Sequence, residues 1–236
     1  MVLQKGDFIL IEYTAKVKET NEVFDTTSEE VSQKEHLHKE GEIYEPKLIV
    51  IGEGWMLKTL DESFPTMAIN KTATVEITPD KAFGARDPEK VKRVPLKQLL
   101  AKNINPAIGM RIEYGGKNAI IRSIGAGRVL LDFNPPLAGK TLVYEVTVQK
   151  KLKTKEGKVG ALIHRRLPIA EAKFPITFKE KDLSIEMPEE TFYIEGVQVA
   201  KRGVAMDIQK FFPDLTAVKF IETYKAPPKP TAEPKA

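Results

Sequence analysis

The chain has 236 residues, 42% of them hydrophobic and 30% charged, which is enough apolar material for a packed core and argues against general disorder. It contains no cysteine, which removes disulfides, thiolate nucleophiles, cysteine zinc sites and iron–sulfur clusters together. A net charge of +4, from 37 basic against 33 acidic residues spread along the chain, is a weak argument for a nucleic-acid binder.

The N-terminal stretch MVLQKGDFILIEY lacks an apolar run followed by a small-residue cleavage site and reads as a strand. No apolar run approaches the length that spans a bilayer, so a soluble cytoplasmic protein with no membrane contact is expected. From Asp7 to Val17 the pattern alternates: Ile9, Ile11, Tyr13, Ala15 and Val17 share one face, and Glu12, Thr14 and Lys16 the other. Tyr13 falls inward, where its hydroxyl needs a partner or a cavity. Val23-Phe24-Asp25 ends a second strand. Ser28 to Glu45 is polar and charged and reads as solvated loop. His36 and His38 lie within it without a third ligand nearby, so no metal site is assigned.

Pro46 to Gly52 predicts a short buried strand, and Glu53 to Phe64 a helix with Met56, Leu57, Leu60 and Phe64 on one stripe, stopped by Pro65. Trp55 lies off that stripe. Ala73, Val75 and Ile77 alternate inward and lead into Pro79-Asp80-Lys81-Ala82-Phe83-Gly84. There a detour begins. Val94 to Leu100 reads as a strand followed by a helical turn. Gly115-Gly116 and Gly125-Ala126-Gly127 then punctuate a compact β-meander. Its core is thin, so some of Ile104, Met110, Ile112, Ile120, Ile121, Ile124, Val129 and Leu131 are expected to stay exposed, as suits a surface for extended chains.

Thr141 to Val148 alternates again and can return to the first sheet. Lys150 to Lys158 is basic and reads as a linker or frayed helix start. Val159, Leu162, Ile163 and Arg166 predict a short helix, Phe174 to Phe178 and Asp182 to Met187 strands, Val197 to Phe211 a helix, and Ala217 to Tyr224 a last strand. This unit has the apolar content for a separate domain or a dimer interface. Lys225 to Ala236 is a proline-rich tail.

The inward aromatics and Asp25 together suggest an apolar cleft with one carboxylate, and no nucleophile–base pair, phosphate loop or dinucleotide fingerprint accompanies them. The order Tyr13, Phe24-Asp25, Pro46…Gly52, Met56-Leu57, Pro79 to Gly84 and Pro136-Leu137-Ala138-Gly139…Leu142-Val143-Tyr144 resembles the FKBP-type peptidyl-prolyl cis-trans isomerases. The insertion after Ala82-Phe83-Gly84 resembles the insert-in-flap domain of the SlyD-like branch, and the added C-terminal unit that of a long-type archaeal member.

The resemblance implies an α+β fold in which a half-open antiparallel β-barrel wraps on a helix. Residues 1–85 and 131–152 would form the isomerase domain, 86–130 an inserted β-rich chaperone domain, 153–224 a C-terminal α+β domain and 225–236 the tail. It implies Tyr13, Asp25, Phe83 and Tyr144 as catalytic, and Phe24, Ile49, Met56, Leu57 and Leu60 as substrate-binding, with no cofactor. Leu60 stands where macrolide-binding members carry Trp, and Phe83 where many carry Tyr, which leaves macrolide affinity open. The partners implied are proline-containing unfolded or partly folded polypeptides, with a homodimer expected through the C-terminal domain. A holdase with a vestigial pocket is the alternative. A nucleic-acid binder using Lys90 to Arg93 and Arg165-Arg166 is a poor reading, because a charge run is usually a solvated face.

Overall fold

The computed structural model describes residues 2–169 and 174–225, so the expected tail lies outside the described residues except for Lys225. In chain order, β1 (Phe8–Val17) and β2 (Val23–Thr26) are followed by α1 (Glu29–Lys34), β3 (Lys47–Val50), α2 (Lys58–Ser63) and β4 (Thr72–Ile77). The detour supplies β5 (Val91–Pro95), α3 (Leu96–Leu100), β6 (Arg111–Tyr114), β7 (Lys117–Gly125) and β8 (Arg128–Asp132), and the chain returns as β9 (Leu142–Leu152). Then come α4 (Lys155–Arg166), β10 (Ile176–Lys179), β11 (Asp182–Met187), α5 (Val197–Phe211) and β12 (Ala217–Glu222). The result is a mixed α+β structure with mostly antiparallel sheets. No helix among the described residues is long and apolar enough to cross a membrane.

The first sheet runs β2-β1-β9-β4, with β3 also paired to β1. β9 holds one edge of β1 along its whole length, from Phe8 opposite Leu152 to Val17 opposite Leu142. The other edge is shared: β3 pairs with Phe8 to Ile11, and β2 with Thr14 to Lys16. The inner face carries the alternating residues expected of β1, all buried, over Leu60 and Phe64.

The predicted helix at 53–64 forms only from Lys58 to Ser63. Gly52 and Gly54 take φ of +89° and +67°, a region that favours glycine, and this holds the chain off the helix until Leu57. The Asp61 carboxylate fixes that loop by accepting the N–H groups of Gly52 (3.0 Å) and Gly54 (3.1 Å). A second correction concerns the expected loop at Ser28 to Glu45, which contains α1. The Ser28 hydroxyl accepts the Val31 N–H, Glu29 and Glu30 stand at the positive end of the helix dipole, and Lys34 at the negative end.

The detour folds as the sheet β5-β8-β7-β6 over its own apolar cluster, with Leu99, Ile121, Val129 and Leu131 fully buried. At Gly115-Gly116 both residues have positive φ, as the two-residue turn between Tyr114 and Lys117 requires. Entry and exit are tied by a polar knot. Asp132 is 1% exposed and accepts from the Asn134 N–H (3.0 Å) and side-chain amide (2.8 Å), from Arg86 (2.9 Å) and from Arg122 (3.1 Å). Asn134 in turn exchanges two hydrogen bonds with the backbone of Asp87, each 2.9 Å.

Residues 150–158 are no linker. β9 continues to Leu152, and Thr154 caps α4 by accepting the Gly157 N–H at 3.1 Å. In the last sheet, β10-β11-β12, the parallel pair β11–β12 is joined through α5, since parallel strands need a crossover. Its helices do not stand apart from the first sheet. Phe8, Leu10, Leu48 and Val50, on the outer face of β1 and β3, share one cluster with Val159, Leu162, Ile163, Val204 and Ile208. β1 and β3 are therefore apolar on both faces at this end, which explains the unbroken runs Phe8-Ile9-Leu10-Ile11 and Leu48-Ile49-Val50.

Candidate functional site

Tyr13 lies where the edge of β1 passes from β3 to β2. Its N–H donates to the Thr27 hydroxyl (2.9 Å), and its carbonyl accepts from the Thr27 N–H (3.0 Å) and the Thr26 hydroxyl (3.1 Å). The backbone of the gap is thereby satisfied, and the side chain stays on the inner face. The register places Asp25 opposite Ala15, Ala15 opposite Tyr144, and Tyr144 opposite Val75. These four make one row across four strands. Ala15 is the small member, and it leaves room between the carboxylate and the two phenol rings.

The Tyr13 hydroxyl donates to Asp25 Oδ2 at 2.7 Å. Lys47, opposite Ile11 at the start of β3, donates from Nζ to the same hydroxyl at 3.1 Å and stands 5.3 Å from the ring centre. The ring centres of Tyr13 and Tyr144 are 5.9 Å apart, and Phe24 meets Tyr144 edge-on at 6.1 Å. Burial, then the hydrogen bond to Asp25 and its charge, push the Tyr13 phenol far above its ordinary value. Burial, then the charge of Asp25, push Tyr144 up to about 12. Both phenols are neutral donors at working pH. The Tyr144 hydroxyl donates to no group among the described residues.

Of the sequence-predicted residues, Ile49 and Leu60 lie buried in the core beside Tyr13 and Tyr144, with Phe24, Met56 and Leu57 half-buried against them. Leu57 is the residue before α2, so its N–H belongs to the free donors at that helix start. Phe83 is set apart. It follows the turn Pro79–Lys81, is 43% exposed and is not packed into the cluster that takes in its neighbour Ala82.

Sequence reasoning missed three residues. Lys47 shares a face with Ile49 by simple alternation, and that spacing could have placed it. Trp55 and Arg165 have no local signal. The Arg165 guanidinium lies 3.8 Å over the Trp55 ring, and Phe211 meets Trp55 edge-on at 6.1 Å. The charge run at Arg165-Arg166 is exposed, as expected of a solvated face, and Arg165 in addition covers Trp55. Beside the predicted residues lies a cavity of about 690 Å³. Tyr13, Asp25, Ile49 and Met56 form one side of it, and Gly160, Ala161, His164 and Arg165 of α4 the other.

Chemically, the site is an apolar hollow around one carboxylate held by a neutral phenol. The hydroxyl beside that carboxylate is the Tyr13 phenol, whose ionisation burial and Asp25 both oppose, so the arrangement favours binding and distortion over a covalent step.

Comparison with known proteins gives two matching family models, one described as FKBP26, IF domain, over residues 92–137, the other as FKBP26_C-terminal, over residues 155–225. A short-type peptidyl-prolyl cis-trans isomerase of Methanocaldococcus jannaschii is 30% identical over 148 residues, covering 63% of this chain and 93% of that protein. A probable FKBP-type 16 kDa peptidyl-prolyl cis-trans isomerase of Pseudomonas fluorescens is 26% identical over 108 residues, 44% of this chain and 71% of its own. The FKBP-type peptidyl-prolyl cis-trans isomerase SlyD of Helicobacter pylori is 25% identical over 143 residues, 59% and 69% respectively.

Proposed function

Since the chain belongs to the FKBP-type peptidyl-prolyl cis-trans isomerases, we propose that it turns X-Pro bonds in folding polypeptides inside the hollow between the first sheet and α2. The observation that carries this reading is the Tyr13–Asp25 hydrogen bond at 2.7 Å, set among Phe24, Met56, Leu57 and Tyr144.

An X-Pro bond rotates over tens to hundreds of seconds because the amide must lose its resonance. The planar amide is charge-separated, and the twisted one is less so. A dry pocket around the proline ring therefore disfavours the planar form relative to the twisted one, and only such differential binding speeds the step. In this reading Met56, Leu57, Phe24 and Tyr144 hold the ring above Leu60 and Ile49. The Leu57 N–H binds the carbonyl after the proline, and Asp25 with Tyr13 makes the polar pair beside the twisting amide. Phe83 serves at the rim.

The domain division goes with this reading: a barrel-like isomerase domain wrapped on α2, the β5–β8 sheet as an inserted chaperone unit, and the last sheet with α4 and α5 as the third. Support for chaperone binding comes from apolar side chains on the inserted unit that stay in water, Ile108 at 70% and Met110 at 41% exposure. They would hold unfolded chain near the pocket and raise its local concentration there. The third unit would make a homodimer through the outer face of α5, where Val199 and Met206 stand exposed one heptad apart.

The test is exchange of a short proline peptide followed by NMR, with refolding of a proline-limited protein alongside. Asp25→Ala and Tyr144→Ala should each lose turnover; full activity in both would remove the site assignment. Replacing residues 86–130 by a short loop should keep peptide turnover and lose the refolding effect. Suppression of aggregation with no isomerisation by the intact chain would instead favour a holdase.

A further inference from the structure

The cavity beside the proposed proline pocket is a composite of two units. Tyr13, Asp25, Ile49 and Met56, which the isomerase reading places around the proline, also line this space, so a polypeptide held at them would have its flanking residues in the cavity. Its volume of about 690 Å³ lies in the range of sites that take a ligand of several residues' bulk. Gly160 and Ala161 turn a face of α4 with little bulk toward it, which keeps it open.

The charges around the cavity are unevenly matched. Asp25 holds the Tyr13 hydroxyl, Lys47 donates to that same hydroxyl, and Glu45 pairs with His164. Asp207 is engaged by Arg166 through both carboxylate oxygens, at 2.8 and 3.2 Å, and reaches Arg165 only at 3.6 Å. One carboxylate thus serves two guanidiniums, and the better geometry goes to Arg166. The Arg165 guanidinium sits 3.8 Å over the Trp55 ring, partly withdrawn from water, with Arg166 as its like-charged neighbour. Burial first, and then Arg166, make its charged form less favourable than in water. A planar guanidinium fixed by stacking and short of a counter-charge is built to take a carboxylate.

We propose that this cavity is a subsite for the residues flanking the proline, and that Arg165 makes it selective for an acidic side chain there. The inference rests on the isomerase reading above. It makes α4 a wall of the substrate groove, and so gives the C-terminal unit a role in choosing substrates that is separate from any in self-association.

The experiment uses the full chain and three sets of proline peptides, carrying Ala, Glu or Lys in turn at each of the three positions on either side of the proline. The readout is the ratio of kcat/KM for the Glu and Lys peptides, measured within each protein. In the wild type, at one or more of these positions the Glu peptide should exceed the Lys peptide about tenfold, a factor that should shrink as salt is added. Arg165→Gln should bring the ratio near one, and Arg165→Glu should invert it. Trp55 is the only tryptophan, so its emission should report peptide binding directly in the wild type. Turnover of the Ala peptides with a wild-type ratio within twofold of one at every position overturns the inference and leaves the isomerase intact. No turnover of any peptide overturns the isomerase reading itself. A preference that persists in Arg165→Gln would assign the selectivity elsewhere and overturn the role of Arg165.

Discussion

Asp132→Asn tests the polar knot where the inserted sheet joins the rest of the chain. Asparagine keeps the shape of the side chain but turns one acceptor oxygen into an N–H2 group, facing either Arg86 and Arg122 at the Oδ2 position or Asn134 at the Oδ1 position. In the folded chain burial pushes the Asp132 carboxyl up, but the Asn134 side chain and N–H, then Arg86 and Arg122, outweigh it and hold it at about 2 against an ordinary 3.8. At about 1.4 kcal/mol per unit that difference corresponds to about 2 kcal/mol in favour of the folded state. The sign follows from the depressed value. The stabilisation is present in full above the unfolded value near 3.8 and is lost as pH falls through about 2. The variant should melt about 5–10 °C below the wild type at pH 7, with faster hydrogen exchange in β5 to β8. The gap should narrow below pH 4 and nearly close at pH 2. A gap of the same size at pH 7 and pH 2, or one under about 0.5 kcal/mol at pH 7, would refute the reasoning.

Four further outcomes are expected. Asp61→Ala leaves the N–H groups of Gly52 and Gly54 without their acceptor; it should cost about 2–3 kcal/mol in urea unfolding and lower peptide turnover, because Met56 and Leu57 hang from that loop. For Tyr144, held up to about 12, the wild type minus Tyr144→Phe absorbance titration should show a midpoint near that value; a midpoint near 10 would mean the ring stands in water. Phe211→Ala removes an edge-on partner of both Phe8 (5.1 Å) and Trp55 (6.1 Å). It should cost about 2–3 kcal/mol and move the emission of Trp55 to the red, and an unchanged spectrum would place Trp55 elsewhere. If α5 makes a dimer, Val199→Asp with Met206→Glu should halve the mass in sedimentation, whereas a monomeric wild type would end that reading.

Much of the first sheet was legible because period-2 burial is a local property. Ile9 to Val17 declared their face, and with it that of Tyr13. α2 was overextended because its stripe of Met56, Leu57, Leu60 and Phe64 has helical spacing, while the positive φ at Gly52 and Gly54 goes with a loop whose N–H groups Asp61 of α2 accepts, a contact that apolar spacing does not show. α1 was missed although Ser28, Glu29, Glu30 and Lys34 are its cap and charges, because a helix of six residues has too little apolar periodicity to register. At the site, Asp25 and Tyr144 lie in sequence stretches far apart, and only register puts them in one row on either side of Ala15. Trp55 and Arg165 are separated by more than a hundred residues, so no local pattern could announce their stacking.

The double-faced strands at the start of the first sheet carry a consequence for relatives of other lengths. Phe8, Leu10, Leu48 and Val50 are apolar because α4 and α5 cover them. In a family member that stops after β9, those four positions would meet water, and polar residues should occupy them while Ile9, Ile11, Ile49 and Ile51 stay apolar. Four positions within the first fifty residues would then tell, before the rest of a chain is read, whether a third unit follows.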